Sequence, residues 1–326
     1  MRNTKSVSLV AASVVVALLA VVLAACGSSS TSNGAASASA SPSAGASSAA
    51  ATFNIANVKA DSTLNAMLPA AIRSAGTIHV ATAMPYAPWE MYVSVGSKQA
   101  TGIDYDLSEA ICARLGVKDS FDQTQFDAII PSMLAGKEDM VMASMFDNAA
   151  RQKTLDFVDY ATDGYGLLVA AGNPANIKTV DDLSGKTVAV QSSTSQVGEL
   201  KKLNTKFVAA GKAPVTILQF PQDADSVLAV TSGKAQAQMD DQSVAAYNVK
   251  TVGNGQTLAF VNDPSVASSF SNAIVGAGIP KTDPQLRDAV QKALQSLIAD
   301  GTYASILNKY GESTLAVTSA QLNQGK

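Results

Sequence analysis

The sequence is poor in the residue types from which most active centres are made. It holds one histidine, His79, and two cysteines, Cys26 and Cys112. That is too few for a zinc site or a disulfide framework, and no metal or other cofactor is expected. No Ser or Cys nucleophile motif accompanies His79, which alternates with apolar neighbours in Thr77-Ile78-His79-Val80-Ala81 and reads as a sheet-face residue. Basic runs are lacking too, and the formal net charge is −3. An acidic chain without a basic cluster is poorly suited to nucleic acid or to anionic membrane surfaces. Charged residues make up only 15% and aromatic residues 6%, against 47% apolar residues, a share inflated by alanine. This is the composition of a globular protein, and 326 residues suffice for two compact lobes once the ends are set aside.

One long hydrophobic run is present, at residues 7–25, behind Arg2 and Lys5. It is long enough to cross a bilayer, so an uncleaved anchor is one reading. Its end, Leu23-Ala24-Ala25-Cys26-Gly27, resembles the bacterial lipobox, in which a signal peptide (residues 1–25) is removed and the Cys26 thiol carries diacylglycerol. Both readings place the rest of the chain outside the cytoplasm. Residues 26–52 are mainly Ser, Ala, Gly and Thr, with no charge and no aromatic ring, and cannot bury enough surface to fold. As a flexible tether they would span roughly 25–30 Å.

From Phe53 onward strands alternate with helices. Residues 77–81, 165–170, 187–190, 215–218, 235–239 and 272–279 read as strands. Helices are expected at 65–74, through Leu115, from Gln196 to about Ala210, at 223–233 and at 283–300. The last carries Leu286, Val290, Leu294, Leu297 and Ile298 along one side. This alternation implies α/β layers with mostly parallel sheets and sites at strand ends. Cys112 falls beside an apolar helix face and reads as a small buried hydrophobe. Residues after Gly311 read as a loose tail.

The chemistry concentrates in Ser144 to Phe157. Asp147 and Asn148 are good helix N-caps. With Asn148 as cap, Arg151 takes the third helical position, where a cation opposes the macrodipole unless an anion sits there. Backbone N–H groups and the guanidinium fork would then converge on a carboxylate. The plainer alternative is a solvated arginine, or a structural pair with Asp156. The hydroxyl-rich loop Gln191-Ser192-Ser193-Thr194-Ser195-Gln196 opens a second helix start of the same kind. In Met84-Pro85-Tyr86-Ala87-Pro88-Trp89-Glu90, two rings with polar tips suit pocket walls and core packing equally.

Gly102-Ile103-Asp104-Tyr105-Asp106-Leu107 is similar to the signature G-[FY]-D-x-[DE]-L. With Phe126-Asp127-Ala128-Ile129-Ile130-Pro131, Leu183-Ser184-Gly185-Lys186 and Asp300-Gly301-Thr302-Tyr303, it makes the chain resemble the extracellular solute-binding proteins of polar amino-acid ABC importers. The resemblance runs from about Thr77 to Gly311. It implies a two-lobe, type II periplasmic-binding-protein-like α/β fold, with lobes joined by two crossing strands and a ligand cleft between them. Lobe one would comprise residues 53–163 and 276–311, and lobe two residues 164–275, with 312–326 as the tail. Carried over, Arg151 binds an α-carboxylate with help from Asn148 and the backbone at Ser144. Thr194 and Ser195 add N–H groups from lobe two. Asp241 binds the α-ammonium, and Tyr86, Trp89 and Phe126 form aromatic walls. Gly164, Gly166, Gly276 and Gly278 fall near the lobe crossings, as hinges or as plain strand ends.

Ala83 stands where members that bind basic or amide side chains often carry an acid, Phe146 replaces a common threonine, and Ser193 a common glycine. Asp147 is an extra acid that could pair with Arg151, cap the helix or meet a cationic side chain. The implied function is capture of a polar L-amino acid by cleft closure and delivery to an ABC permease. The implied protein is a non-enzymatic, lipid-anchored monomer on the extracytoplasmic face. A cyclohexadienyl-dehydratase-like enzyme and a ligand-presenting sensor domain are the alternatives on the same fold.

Overall fold

A computed structural model of the chain describes residues 53–270 and 273–326. The run at 7–25, Cys26 and the linker lie outside the described residues. Helices α1 (Ser62–Met67) and α2 (Ala70–Ala75) occupy the expected 65–74 segment. They are two helices because Pro69 has no N–H to continue the first. Strand β1 (Thr77–Thr82) follows, then a short hairpin of β2 (Met91–Tyr92) and β3 (Ala100–Thr101), and α3 (Ile103–Arg114). Next come β4 (Lys118–Gln123), α4 (Ile129–Leu134), β5 (Met140–Val141), β6 (Phe146–Asp147) and β7 (Leu155–Asp163). The polar sequence Lys-Asp-Ser-Phe-Asp-Gln of β4 carries no apolar alternation, yet it pairs parallel with β1 at the sheet edge.

After Gly164 the chain enters a second sheet through β8 (Tyr165–Ala170), β9 (Thr187–Gln191), α5 (Ser195–Ala209) and β10 (Thr216–Phe220). It continues with α6 (Asp223–Thr231), β11 (Ala237–Asp241), α7 (Gln242–Thr251), β12 (Leu258–Phe260) and α8 (Pro264–Ser269). It then returns through β13 (Ala273–Pro280), α9 (Pro284–Ala299), α10 (Thr302–Tyr310) and β14 (Ala316–Leu322). The first sheet runs β14-β7-β13-β5-β1-β4, and the second β10-β9-β11-β8-β12. Each has a parallel half and an antiparallel half. The chain crosses between the sheets at β7–β8 and again before β13.

Residues 312–326, expected to be loose, are ordered, which corrects that reading. β14 pairs antiparallel with the open side of β7, so the tail covers an edge that would otherwise expose unpaired backbone. Beyond it, the Gly325 N–H donates to Asp147 (2.6 Å) and the Gln324 N–H to Asp159 (2.9 Å). Burial and the nearby Asp147 push the Asp159 carboxyl up to about 7. Such long-range edge pairing leaves no local periodicity to read.

The signature segment has a structural rationale. Gly102 adopts φ +128° and packs on the Trp89 backbone, with no room for a Cβ. Asp104 is buried and accepts from Tyr160 OH (2.6 Å) and the Ser144 N–H (2.6 Å). Asp106 accepts from Lys309 (2.6 Å) and Tyr310 OH (2.8 Å). The motif therefore joins α3, β7, α10 and the Ser144 turn. Cys112 is buried, as expected, and forms no disulfide among the described residues. His79 is half exposed on β1 beside Asp122 (3.0 Å).

Candidate functional site

Where β5 leaves the first sheet, the chain turns at Ser144 with φ +42°, a conformation that non-glycine residues seldom adopt. That turn sends Ser144 Oγ to the Asp241 carboxylate (2.8 Å), while its N–H holds Asp104. Asn148 Oδ1 accepts from the N–H groups of Ala150 and Arg151 (3.0 Å each). This is the capping pattern expected, but the turn it caps is a 3-10 turn, Arg151–Lys153, not an α-helix. The chain must already extend into β7 at Leu155. One short turn has little macrodipole, so the case for an anion rests on burial instead.

Arg151 is only 8% exposed. Its guanidinium donates from Nη1 to Phe146 O (2.6 Å) and from Nη2 to Ser193 O (3.1 Å), and lies 5.4 Å from the Phe126 ring centroid. Its hydrogen-bond acceptors among the described residues are carbonyls, which leave the charge uncompensated. Asp156 is held by Lys281 and Arg287 instead. Asp147 accepts from Gln152 (2.8 Å) and Gly325. Desolvation lowers the Arg151 pKa to about 10, opposed by Asp241, Tyr165 and Asp147, so it remains a cation at neutral pH.

Lobe two meets it from β9 and β11. Ser193 takes φ +63°, and the Thr194 hydroxyl donates back to Gln191 O (2.8 Å). No side chain caps α5, so the first-turn N–H groups of this helix are left for an anion or water. Asp241 ends β11, is 3% exposed, and accepts from Ser144 Oγ and from Gln196 Nε2 (2.6 Å). Burial and the Asp163 charge push its carboxyl well above the usual range, a penalty that a cation beside it would relieve.

Between these groups lies a small cavity lined by Ala83, Tyr86, Glu90, Phe126, Ala143, Ser144, Phe146, Arg151, Gln191, Thr194, Ser195, Gln196 and Asp241. Its free space is about 10 Å³, room for one water at most. A groove of about 680 Å³ adjoins it and shares Arg151, Phe146, Thr194 and Ser195. The cleft is shut. Tyr86 OH donates to Asp240 (2.6 Å), Trp89 Nε1 to Ser243 Oγ (2.9 Å) and Asn148 Nδ2 to Ser195 Oγ (3.2 Å), all from lobe one to lobe two. Each is worth about 0.5–1.5 kcal/mol net. An organic ligand enters only when these part.

A fixed cation and a buried acid, brought by opposite lobes to one closed cleft, form the frame of a binding protein. The model of the bacterial extracellular solute-binding proteins, family 3, matches residues 78–313. The chain belongs to this family. It is 32% identical over 239 residues to the histidine-binding periplasmic protein of Escherichia coli, covering 72% of this chain and 86% of the relative. An ancestral arginine-binding protein bound to arginine superposes with a TM-score of 0.65 at 32% identity, over 72% of this chain and 98% of that one. The ancestral amino acid-binding protein AncCDT-1, a precursor of cyclohexadienyl dehydratase, does so with a TM-score of 0.64 at 33% identity, over 76% and 99%.

In this family 3 protein seven of the nine sequence-derived ligand residues line the cavity: Arg151, Asp241, Ser144, Thr194, Ser195, Tyr86 and Phe126. Two do not. Trp89 is wholly buried behind the wall, edge-on to Tyr160. Asn148 borders the outer groove, where it holds the Arg151 turn in shape. Six further residues line the cavity that were not among those nine: Ala83, Glu90, Ala143, Phe146, Gln191 and Gln196. Glu90 follows Trp89 in a loop, where an acid reads as exposed. Gln196 sits one position past the residues matched for their backbone. The four candidate hinge glycines are packing positions. A Cβ on Gly276 would press on Asp159 and Phe157, on Gly278 against Val141, on Gly164 against Gln242, and on Gly166 against Ala245. Among the described residues no cluster could hold a metal ion, and no helix is long and apolar enough to cross a membrane.

Proposed function

We propose that this protein captures an L-α-amino acid outside the cytoplasm and presents it, cleft closed, to an ABC permease, without turning it over. The observation that carries the reading is the pairing of Arg151 with Asp241 across one cavity. A zwitterion supplies an anion for the first and a cation for the second. The uncapped start of α5 adds donors beside the carboxylate end. Relatives named for histidine and arginine binding support the ligand class. A thermal-shift screen of the protein against the common amino acids and simple amines tests it. At 100 times its dissociation constant a ligand adds about 2.7 kcal/mol, a rise of roughly 5–10 °C in Tm for lobes of this size. Polar L-amino acids should score, and their amides and decarboxylated amines should not. Hits confined to sugars, metals or dicarboxylates, or turnover of prephenate or arogenate, would overturn it.

We infer further that the protein is a lipid-anchored monomer, tethered through Cys26 by residues 26–52. The small residues before Cys26 and the charge-free linker support this reading. Cys26→Ser should abolish fatty-acid labelling and leave the precursor uncut. Equal labelling of both proteins would remove the anchor from the account.

A further inference from the structure

Asp147 is an acid outside the pattern that carries the family resemblance, and residues 314–326 lie past the 78–313 that the family model matches. The structure brings these two features together. Strand β14 ends at Leu322, and Asn323 turns the chain with φ +55°. Asn323 is fixed to Phe157 twice, its N–H donating to Phe157 O (3.1 Å) and its Oδ1 accepting from the Phe157 N–H (2.8 Å). The next two N–H groups then fall on two buried acids, that of Gln324 on Asp159 and that of Gly325 on Asp147. Gly325 lies so close that a Cβ there would stand 2.1 Å from Asp147 O.

Gln152, in the same turn as Arg151, closes the arrangement. Its Nε2 donates to Asp147 Oδ1 (2.8 Å) and to Gly325 O (2.9 Å). Both Asp147 oxygens are thereby occupied, Oδ1 by Gln152 and Oδ2 by Gly325. This matters because Arg151 is four positions further on and borders the same outer groove. The Asp147 charge supports the Arg151 cation from a distance. Among the described residues no hydrogen bond joins the two, and the guanidinium donates to carbonyls. An arginine fork bonds a carboxylate more strongly than it bonds a carbonyl. An acid released by Gly325 is therefore a tethered rival for the position that a ligand carboxylate needs.

We propose that residues 323–325 form a clip that holds Asp147 away from Arg151, so that the arginine stays free for the ligand carboxylate. Asp147 and Gly325 are positioning residues in this scheme, and neither lines the inner cavity. The proposal rests on the amino-acid reading above. The test is calorimetry on the full chain, on a chain lacking residues 323–326, and on that shortened chain carrying Asp147→Asn. The probes are L-arginine and L-glutamine, extended to the other common L-amino acids. If the released Asp147 holds Arg151 about nine-tenths of the time, the apparent dissociation constant rises about tenfold. The shortened chain should show that loss. Adding Asp147→Asn should bring affinity back to within about twofold of the wild type, because the rival charge is gone. A clip that merely supports the fold predicts otherwise: the shortened chain would stay weak whichever residue stands at position 147, and that result would overturn the proposal. So would a shortened chain that binds as tightly as the wild type. Gly325→Ala, for which the Asp147 backbone leaves no room, asks the same question at full length should the shortened chain fail to fold. It should show the same loss and the same rescue by Asp147→Asn. A full chain that binds amino acids regardless of the clip removes this proposal alone. One that binds no α-amino acid removes the amino-acid reading and the clip's role together.

Discussion

Arg151→Ala should weaken amino-acid binding by about 30-fold to several thousand-fold, the equivalent of roughly 2–5 kcal/mol for losing one partner of a desolvated charge pair. Arg151→Lys should fall in between, because lysine keeps the charge and loses the planar fork. The empty protein should behave differently. In the closed cleft the Arg151 guanidinium donates, among the described residues, only to the carbonyls of Phe146 and Ser193, so removing it relieves a buried cation with no hydrogen-bonded acid partner there. Its melting temperature should stay level or rise while affinity collapses. Calorimetry and thermal unfolding on the same samples separate the two effects. An alanine variant that binds as tightly as the wild type refutes the carboxylate role. One that unfolds many degrees lower would make Arg151 a structural residue.

The second large effect is expected at Asp241, in closure as well as affinity. In the shut cleft its carboxylate accepts from Ser144 in lobe one and from Gln196 in lobe two. A ligand ammonium would enter between these donors. Shifting a cleft from 1:99 to 99:1 closed needs about 5.5 kcal/mol of differential affinity, within reach of a few charge-assisted bonds made only on closing. The free space of about 10 Å³ shows that entry demands an open form. A pair of distance labels on the two lobes should therefore report a spread of separations without ligand and a narrow, short one with it. Asp241→Ala should bind weakly through lobe one and keep the open spread. If it still closes fully around bound ligand, the ammonium contact does not drive closure.

Much of this site was legible in the sequence, because several of its parts are local. Strand-to-helix loops such as 191–196 announce themselves by composition, and α9 by its apolar stripe. Arg151 could be singled out because a cation just after two good caps is locally unfavourable. Its actual burden turned out to be burial, since the expected helix there is a 3-10 turn. The aromatic loop illustrates the limit. Tyr86 and Trp89 are three residues apart with similar chemistry, yet one lines the cavity and the other fills the core. That choice depends on which surface of lobe two meets the loop.

The family resemblance implied Asp241 and the order of the motifs; the sequence by itself determined the α/β alternation, the locally unfavourable cation at Arg151 and the apolar residues that fill both lobes. These follow from short-range periodicity, capping and charge, which act within a few residues. Only the tertiary structure decided that residues 316–322 close the edge of β7, that Gly276 and Gly278 are demanded by strand packing, and that Asp147 answers the chain's end and not Arg151. It likewise decided that Glu90, whose carboxylate oxygens meet no hydrogen-bond donor among the described residues, is buried in the cavity wall. Desolvation is the reason for the last. A carboxylate is inexpensive wherever water reaches it, and whether water reaches Glu90 is set by segments brought against it from 14 to 151 positions further along the chain (Asp104 to Asp241).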